Sequence, residues 1–126
     1  MIYNQQLHRF LRFACVGIFN TAIHLCIVFL LVEKLSTQPP SANAVAFLVA
    51  NIASYLLNST WTFRKRTSFA GYSKFFIVSL VGLMISWGCV FSSELLGLHY
   101  VVGVLVSVVF VAIIGYFLNK QFVFNT

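Results

Sequence analysis

The sequence predicts an all-α membrane protein of four transmembrane helices, arranged as two repeated helical hairpins with both termini in the cytoplasm. Three observations predict it. First, 60% of the 126 residues are hydrophobic, only 8% are charged, and the mean hydropathy is +0.95. A water-soluble domain needs about a quarter of its residues charged to cover its surface. Second, the apolar residues gather into four runs near the ~20 residues that a helix needs to cross hydrocarbon. Third, the basic residues flank these runs almost entirely on one side. The net charge of +6 would suggest nucleic acid in a soluble protein, but beside hydrophobic runs it reads as topology, and no nucleic-acid partner is expected.

The first span is expected from about Phe13 to Val32. It is too long for a signal-peptide core, and no A-x-A site follows it, so it is expected to stay in the mature protein. Pro39-Pro40 then ends one helix and starts the next. The second span covers about Ala42 to Phe63, the third about Phe75 to Ser93, and the fourth about Tyr100 to Phe117. None contains a proline or a formal charge. Arg9 and Arg12 precede the first span, Arg64, Lys65, Arg66 and Lys74 separate the second from the third, and Lys120 follows the fourth. Only Lys34 falls on the other side, with both acidic residues, Glu33 and Glu94. The excess of basic residues places both termini and the middle loop in the cytoplasm. The loops leave no room for a catalytic domain, so residues 1–126 read as one transmembrane domain.

The chain carries an internal repeat. Tyr55-Leu56-Leu57-Asn58-Ser59-Thr60-Trp61-Thr62-Phe63 and Tyr116-Phe117-Leu118-Asn119-Lys120-Gln121-Phe122-Val123-Phe124 share the pattern Tyr-x-Leu-Asn-x-x-aromatic-x-Phe, 61 residues apart. Arg12-Phe13 leads to Val16-Gly17, and Lys74-Phe75 leads to Val81-Gly82 with a few residues inserted. The two hairpins thus cover about 12–63 and 74–124, in the same orientation across the membrane.

Polar residues inside the spans recur at helical spacing. Asn51, Ser54, Tyr55 and Asn58 share one face of the second helix, extended by Asn43 and Phe47, while Gly17, Asn20, Thr21 and His24 repeat the spacing in the first. The third span offers Ser79, Gly82, Ser86 and Ser93, and the fourth Gly103, Ser107, Gly115 and Asn119. Such faces either glue helices together, small residues allowing close approach and amides bonding across, or line a hydrated groove for a polar cargo. On the groove reading Asn20, His24, Asn51, Tyr55, Asn58 and Asn119 are the candidate substrate contacts, since amides and hydroxyls both donate to and accept from a hydroxyl-rich cargo. A cationic cargo would need an intramembrane carboxylate, which argues against a small multidrug exporter. The basic residues Arg12, Arg64, Lys65 and Lys120 either set topology and attract anionic lipid or capture a phosphate headgroup. No nucleophile–base pair or metal-ligand cluster is legible. The chain is therefore expected not to be an enzyme, with no metal and no cofactor, and Cys15, Cys26 and Cys89 read as small buried hydrophobes.

Arg12-Phe13, Val16-Gly17, Asn20-Thr21, Ala42-Asn43, Ala46-Phe47, Asn58, Trp61-Thr62-Phe63-Arg64 and the closing Asn119-Lys120-Gln121-Phe122-Val123-Phe124 resemble the GtrA-like family over about Arg9 to Phe124. The third span contributes only Phe75 and Gly82 to the likeness. The resemblance implies a translocase that flips a polyprenyl-phosphate-linked monosaccharide, undecaprenyl-phosphate-glucose above all, from the cytoplasmic to the periplasmic leaflet of the bacterial inner membrane, for modification of O-antigen or a related polysaccharide. It implies a membrane glycosyltransferase as partner, and a homo-oligomer would enlarge the groove. The alternative is a non-transporting accessory subunit that docks such a glycosyltransferase.

Overall fold

The computed structural model describes residues 2–125. Every element among them is helical: α1 (Ile2–Phe29), α2 (Pro39–Leu57), α3 (Phe69–Leu95) and α4 (Tyr100–Leu118). Three of the four helices run on through one widened turn with π geometry, Leu30–Lys34 after α1, Asn58–Thr62 after α2 and Asn119–Val123 after α4. Four stretches are long and apolar enough to cross a bilayer, namely Asn4–Lys34, Pro39–Thr62, Phe69–Leu95 and Tyr100–Val123. The protein is an all-α, multi-pass membrane protein.

Helix ends follow local chemistry. Pro39 and Pro40 open α2, where the missing amide donors are not needed. Ser68 caps α3, its hydroxyl accepting from the Gly71 amide at 2.9 Å. His99 caps α4 through its ring, which accepts from the Val101 amide at 3.2 Å. Helices α1 and α3 begin well before the spans expected at Phe13 and Phe75. Polar side chains do not stop a helix whose backbone bonds are already satisfied, so the first turns of α1 carry Asn4, Gln5, His8 and Arg9 beyond the apolar stretch.

The chain forms two compact units, residues 1–67 and 68–126, each a hairpin. In the first, α1 packs on α2. The buried stripe of α2 is Ala42, Ala46 and Ala50, essentially inaccessible, followed by Ser54 and Asn58. In the second, α3 packs on α4. Here the stripe is Gly103 and Ser107, then half-buried Gly115 and buried Asn119. A Cβ on Gly103 would lie 2.7 Å from the Cys89 carbonyl oxygen and from the Val90 Cα, so this glycine sets how closely the helices approach. Large side chains such as Ile18, Met84 and Leu105 are more than 60% exposed. Small and polar residues inside, with bulky apolar ones outside, suit a lipid solvent.

The two hairpins repeat in backbone detail. Both second helices are 19 residues long, start 61 residues apart and end in a five-residue π turn. Each turn closes with a phenylalanine amide donating to the asparagine carbonyl at 2.8 Å, Phe63 to Asn58 and Phe124 to Asn119. The next residue is left-handed in both, Arg64 at φ 54° and Asn125 at φ 50°. In the first helices, Val16 and Val78 are both buried, each four residues after Arg12 or Lys74. The first helices thus correspond without the inserted residues that matching Val16-Gly17 to Val81-Gly82 required. The first hairpin does have one extra residue, since Arg12 to left-handed Ser36 is 24 positions and Lys74 to left-handed Gly97 is 23. The π turn at Leu30–Lys34, with no counterpart in α3, takes up the difference.

Candidate functional site

At the end where α1 begins and α2 finishes, the first hairpin holds a cleft of about 330 Å³. Gln5, His8, Arg9 and Arg12 line it from α1, and Thr62, Phe63 and Arg64 from the end of α2. The α1 residues follow i, i+3, i+4, i+7 spacing, which stacks them on one helix face. The other wall is built by the π turn, whose tight closure onto Asn58 turns the chain back toward α1. The left-handed Arg64 then turns the backbone at the rim.

Two of the arginines are fixed by aromatic rings. The Arg12 guanidinium sits 5.4 Å from the Trp61 ring centre, and its Nη1 donates to the Trp61 carbonyl at 3.3 Å. The Arg9 guanidinium lies 5.9 Å from the Phe63 ring. Phe63 also meets Phe13 edge-on at 6.4 Å. A cation held over a ring face keeps its charge and much of its hydrogen-bonding capacity. Both acidic residues of the sequence, Glu33 and Glu94, stand at the far ends of α1 and α3. Glu33 is about 30 Å along the helix from Arg12. The cleft is therefore cationic, with no carboxylate of its own hairpin near it.

Of the four residues expected to hold a phosphate, the structure brings Arg12 and Arg64 together. Lys65 does not line the cleft. Its amide donates to the Ser59 carbonyl at 2.7 Å and its carbonyl accepts from the Ser59 hydroxyl at 2.8 Å, so its backbone serves to close the turn. Lys120 belongs to the π turn of the second hairpin and is half-buried there. Arg9, which looked like a topology charge, takes a place in the cleft with His8 and Gln5. Their spacing up to Arg12 was a legible signal, since it matches the polar stripe of α2.

The intramembrane candidates divide into three kinds. Asn51, Tyr55 and Asn58 on α2 are buried. Asn58 is engaged within its own helix, its amide donating to the Ser54 hydroxyl at 3.4 Å and its Oδ1 accepting from the Thr62 hydroxyl at 2.9 Å. His24 Nε2 donates to Asn43 Oδ1 at 2.7 Å, joining α1 to α2; the acceptor oxygen requires the proton on Nε2. Asn20 is half-buried on α1, and its Oδ1 is inaccessible and meets no donor. Asn119 repeats the place of Asn58 in the second hairpin. Its amide donates to the Gly115 carbonyl at 2.7 Å, and its Oδ1 also lacks a donor. The neighbour decides the difference: Thr62 supplies a hydroxyl where the second hairpin has Val123.

The chain matches the family model described as GtrA/DPMS, transmembrane domain, over residues 12–124. No curated protein matches it. The match begins at Arg12 within α1, takes in the rest of that helix, the other three helices and the three π turns, and ends at Phe124 of the repeated terminal turn. The chain belongs to the GtrA/DPMS transmembrane-domain family.

Proposed function

We propose that this protein translocates a polyprenyl-phosphate-linked sugar across the membrane, with undecaprenyl-phosphate-glucose as the specific cargo and O-antigen or a related polysaccharide as its destination. Family membership supports polyprenyl-phosphate sugar translocation in general. The observation that carries the reading is one hairpin that combines a cationic cleft at its end with a buried, unpartnered amide oxygen on Asn20 within the span. A phosphodiester and a sugar must both shed water to cross, and each unpaired polar group in hydrocarbon costs several kcal/mol. Arginine supplies paired donors for the phosphate, and Asn20 offers an acceptor to a sugar hydroxyl.

On this reading the protein is not an enzyme and lies in a bacterial inner membrane with both termini cytoplasmic, the orientation that its basic flanks support. Its two acidic residues, Glu33 and Glu94, lie at the ends of the spans and not deep within them, which favours downhill movement drawn by consumption of the sugar outside. A membrane glycosyltransferase that loads the carrier is the expected partner, and self-association would widen the path.

The test is transbilayer movement of polyprenyl-phosphate-glucose in liposomes containing the purified protein. Movement should be rapid with the natural sequence and about tenfold slower with Asn20→Ala, the equivalent of one hydrogen bond of ~1.4 kcal/mol. The same variant should unfold at an unchanged or slightly higher temperature, because it removes a buried oxygen that meets no donor. No movement above protein-free liposomes would instead favour an accessory subunit that docks the glycosyltransferase.

A further inference from the structure

The duplicated hairpin is an internal control, since a residue that both copies share serves the fold and a residue in one copy alone is free to serve something else. What both copies share at the closing end is the π turn, its final phenylalanine and a cation over an aromatic ring. Arg12 lies 5.4 Å from the Trp61 ring, and Lys74 lies 5.5 Å from the Phe122 ring, at equivalent positions. What they do not share is the rest of the cleft. The positions equivalent to His8 and Arg9 are Ala70 and Gly71, that of Thr62 is Val123, and that of Arg64 is Asn125.

Arg64 is the most informative difference. Its left-handed backbone suits glycine or asparagine and disfavours a long side chain. The second copy holds Asn125 at φ 50° in this place, which the turn accepts readily. An arginine kept where asparagine would fold more easily is strain retained at one site and not at its duplicate. Arg9, Arg12 and Arg64 also bring three like charges into one cleft, where they repel one another. A bound anion with several oxygens would reverse the sign of that interaction, and arginine's planar fork matches phosphate oxygens.

We propose that the first hairpin alone carries a phosphate-ester site, made by Arg9, Arg12 and Arg64 with His8 and Thr62 at its edge, and that the chain therefore holds one lipid phosphate. The inference rests on the translocase reading only for the identity of the lipid, a polyprenyl phosphate. The cleft's place beyond the apolar stretch of α1 puts it at headgroup depth, where the phosphate of such a lipid lies while its tail stays in hydrocarbon.

The experiment is calorimetric titration of the purified full-length protein in detergent with a short-chain polyprenyl phosphate, with inorganic phosphate, and with phosphatidylglycerol. One polyprenyl phosphate should bind per chain, at least tenfold more tightly than either of the other two. Arg64→Asn, a residue that the second copy shows the turn to accept, should weaken binding at least tenfold, as should Arg9→Gln. Lys74→Gln in the second hairpin should change it less than twofold. Circular dichroism of each variant checks that the fold is kept. Two equivalents per chain, an equal loss with Lys74→Gln, or unchanged affinity in folded Arg9→Gln and Arg64→Asn would overturn the proposal. Equal affinity for phosphatidylglycerol would assign the cleft to bulk lipid, and equal affinity for inorganic phosphate to a soluble anion; either sinks the carrier site. Unchanged affinity in the arginine variants, with transport intact, would remove the site and leave the translocase standing. Binding that follows the pattern without any transport would do the reverse.

Discussion

Single residues govern both the packing and the strain of this protein. Gly103 has no room for a side chain, because a Cβ would press on the backbone of α3 at Cys89 and Val90. Ala42, at the same place in the first hairpin, is buried to 0% with its methyl accommodated. Gly103→Ala should therefore destabilise the second hairpin by ~1–3 kcal/mol, seen as a lower unfolding temperature in detergent, whereas Ala42→Gly should open α1 and α2 only by the volume of a methyl. Arg64 behaves oppositely. Arg64→Gly removes a left-handed non-glycine residue and should stabilise by about 1 kcal/mol while weakening phosphate binding. A variant both less stable and unchanged in binding would show that Arg64 serves the turn and not a ligand.

At the scale of elements, the π turns are the distinguishing feature. Two of them, at Asn58–Thr62 and Asn119–Val123, are the structural form of the repeated Tyr-x-Leu-Asn-x-x-aromatic-x-Phe pattern. The asparagine at the start of each turn uses its amide one turn back, on the Ser54 hydroxyl or the Gly115 carbonyl. The third, at Leu30–Lys34, holds the residue by which the first hairpin exceeds the second. Deleting Val32 should convert that turn to ordinary α geometry and leave a monodisperse, folded protein. Deleting Met84 from α3, which has no spare residue, should rotate everything beyond it by about 100° and break its packing on α4. Size-exclusion profiles of the two deletions should separate clearly, and equal tolerance would mean that the π turn is not an insertion.

For the whole molecule, the unequal distribution of charge governs orientation. Seven of the eight basic residues lie near or beyond the starts of α1 and α3 and the ends of the helical segments that follow α2 and α4, and both acidic residues lie near the opposite ends. Reporter fusions after Arg66 and at the C-terminus should be active only in the cytoplasm, and fusions after Ser36 and Gly97 only outside. Replacing Arg64, Lys65 and Arg66 together by glutamine should weaken that bias and produce a measurable fraction of misoriented chains. Reporters that gave the inverse pattern would move the cationic cleft to the outer leaflet, and with it the direction proposed for transport.

The sequence by itself determined the class, the number of spans and the duplicated hairpin ends. These follow from hydropathy and short-range hydrogen bonding, which depend on neighbours within a turn or two. It also marked the polar stripe of α2, and in Arg12 and Arg64 half of the residues expected to meet a phosphate. The tertiary structure decided which cations share a space. Arg9 joins Arg12 because the helix continues beyond the apolar stretch and Phe63 is folded back onto it. Lys65 drops out because Ser59 holds its backbone in the turn. Burial of Asn58 with a partner for both its amide nitrogen and its oxygen, against Asn20 with an oxygen that meets none, was likewise not legible. Both amides sit in apolar runs, and only the approach of a second helix or a hydroxyl one turn away tells them apart.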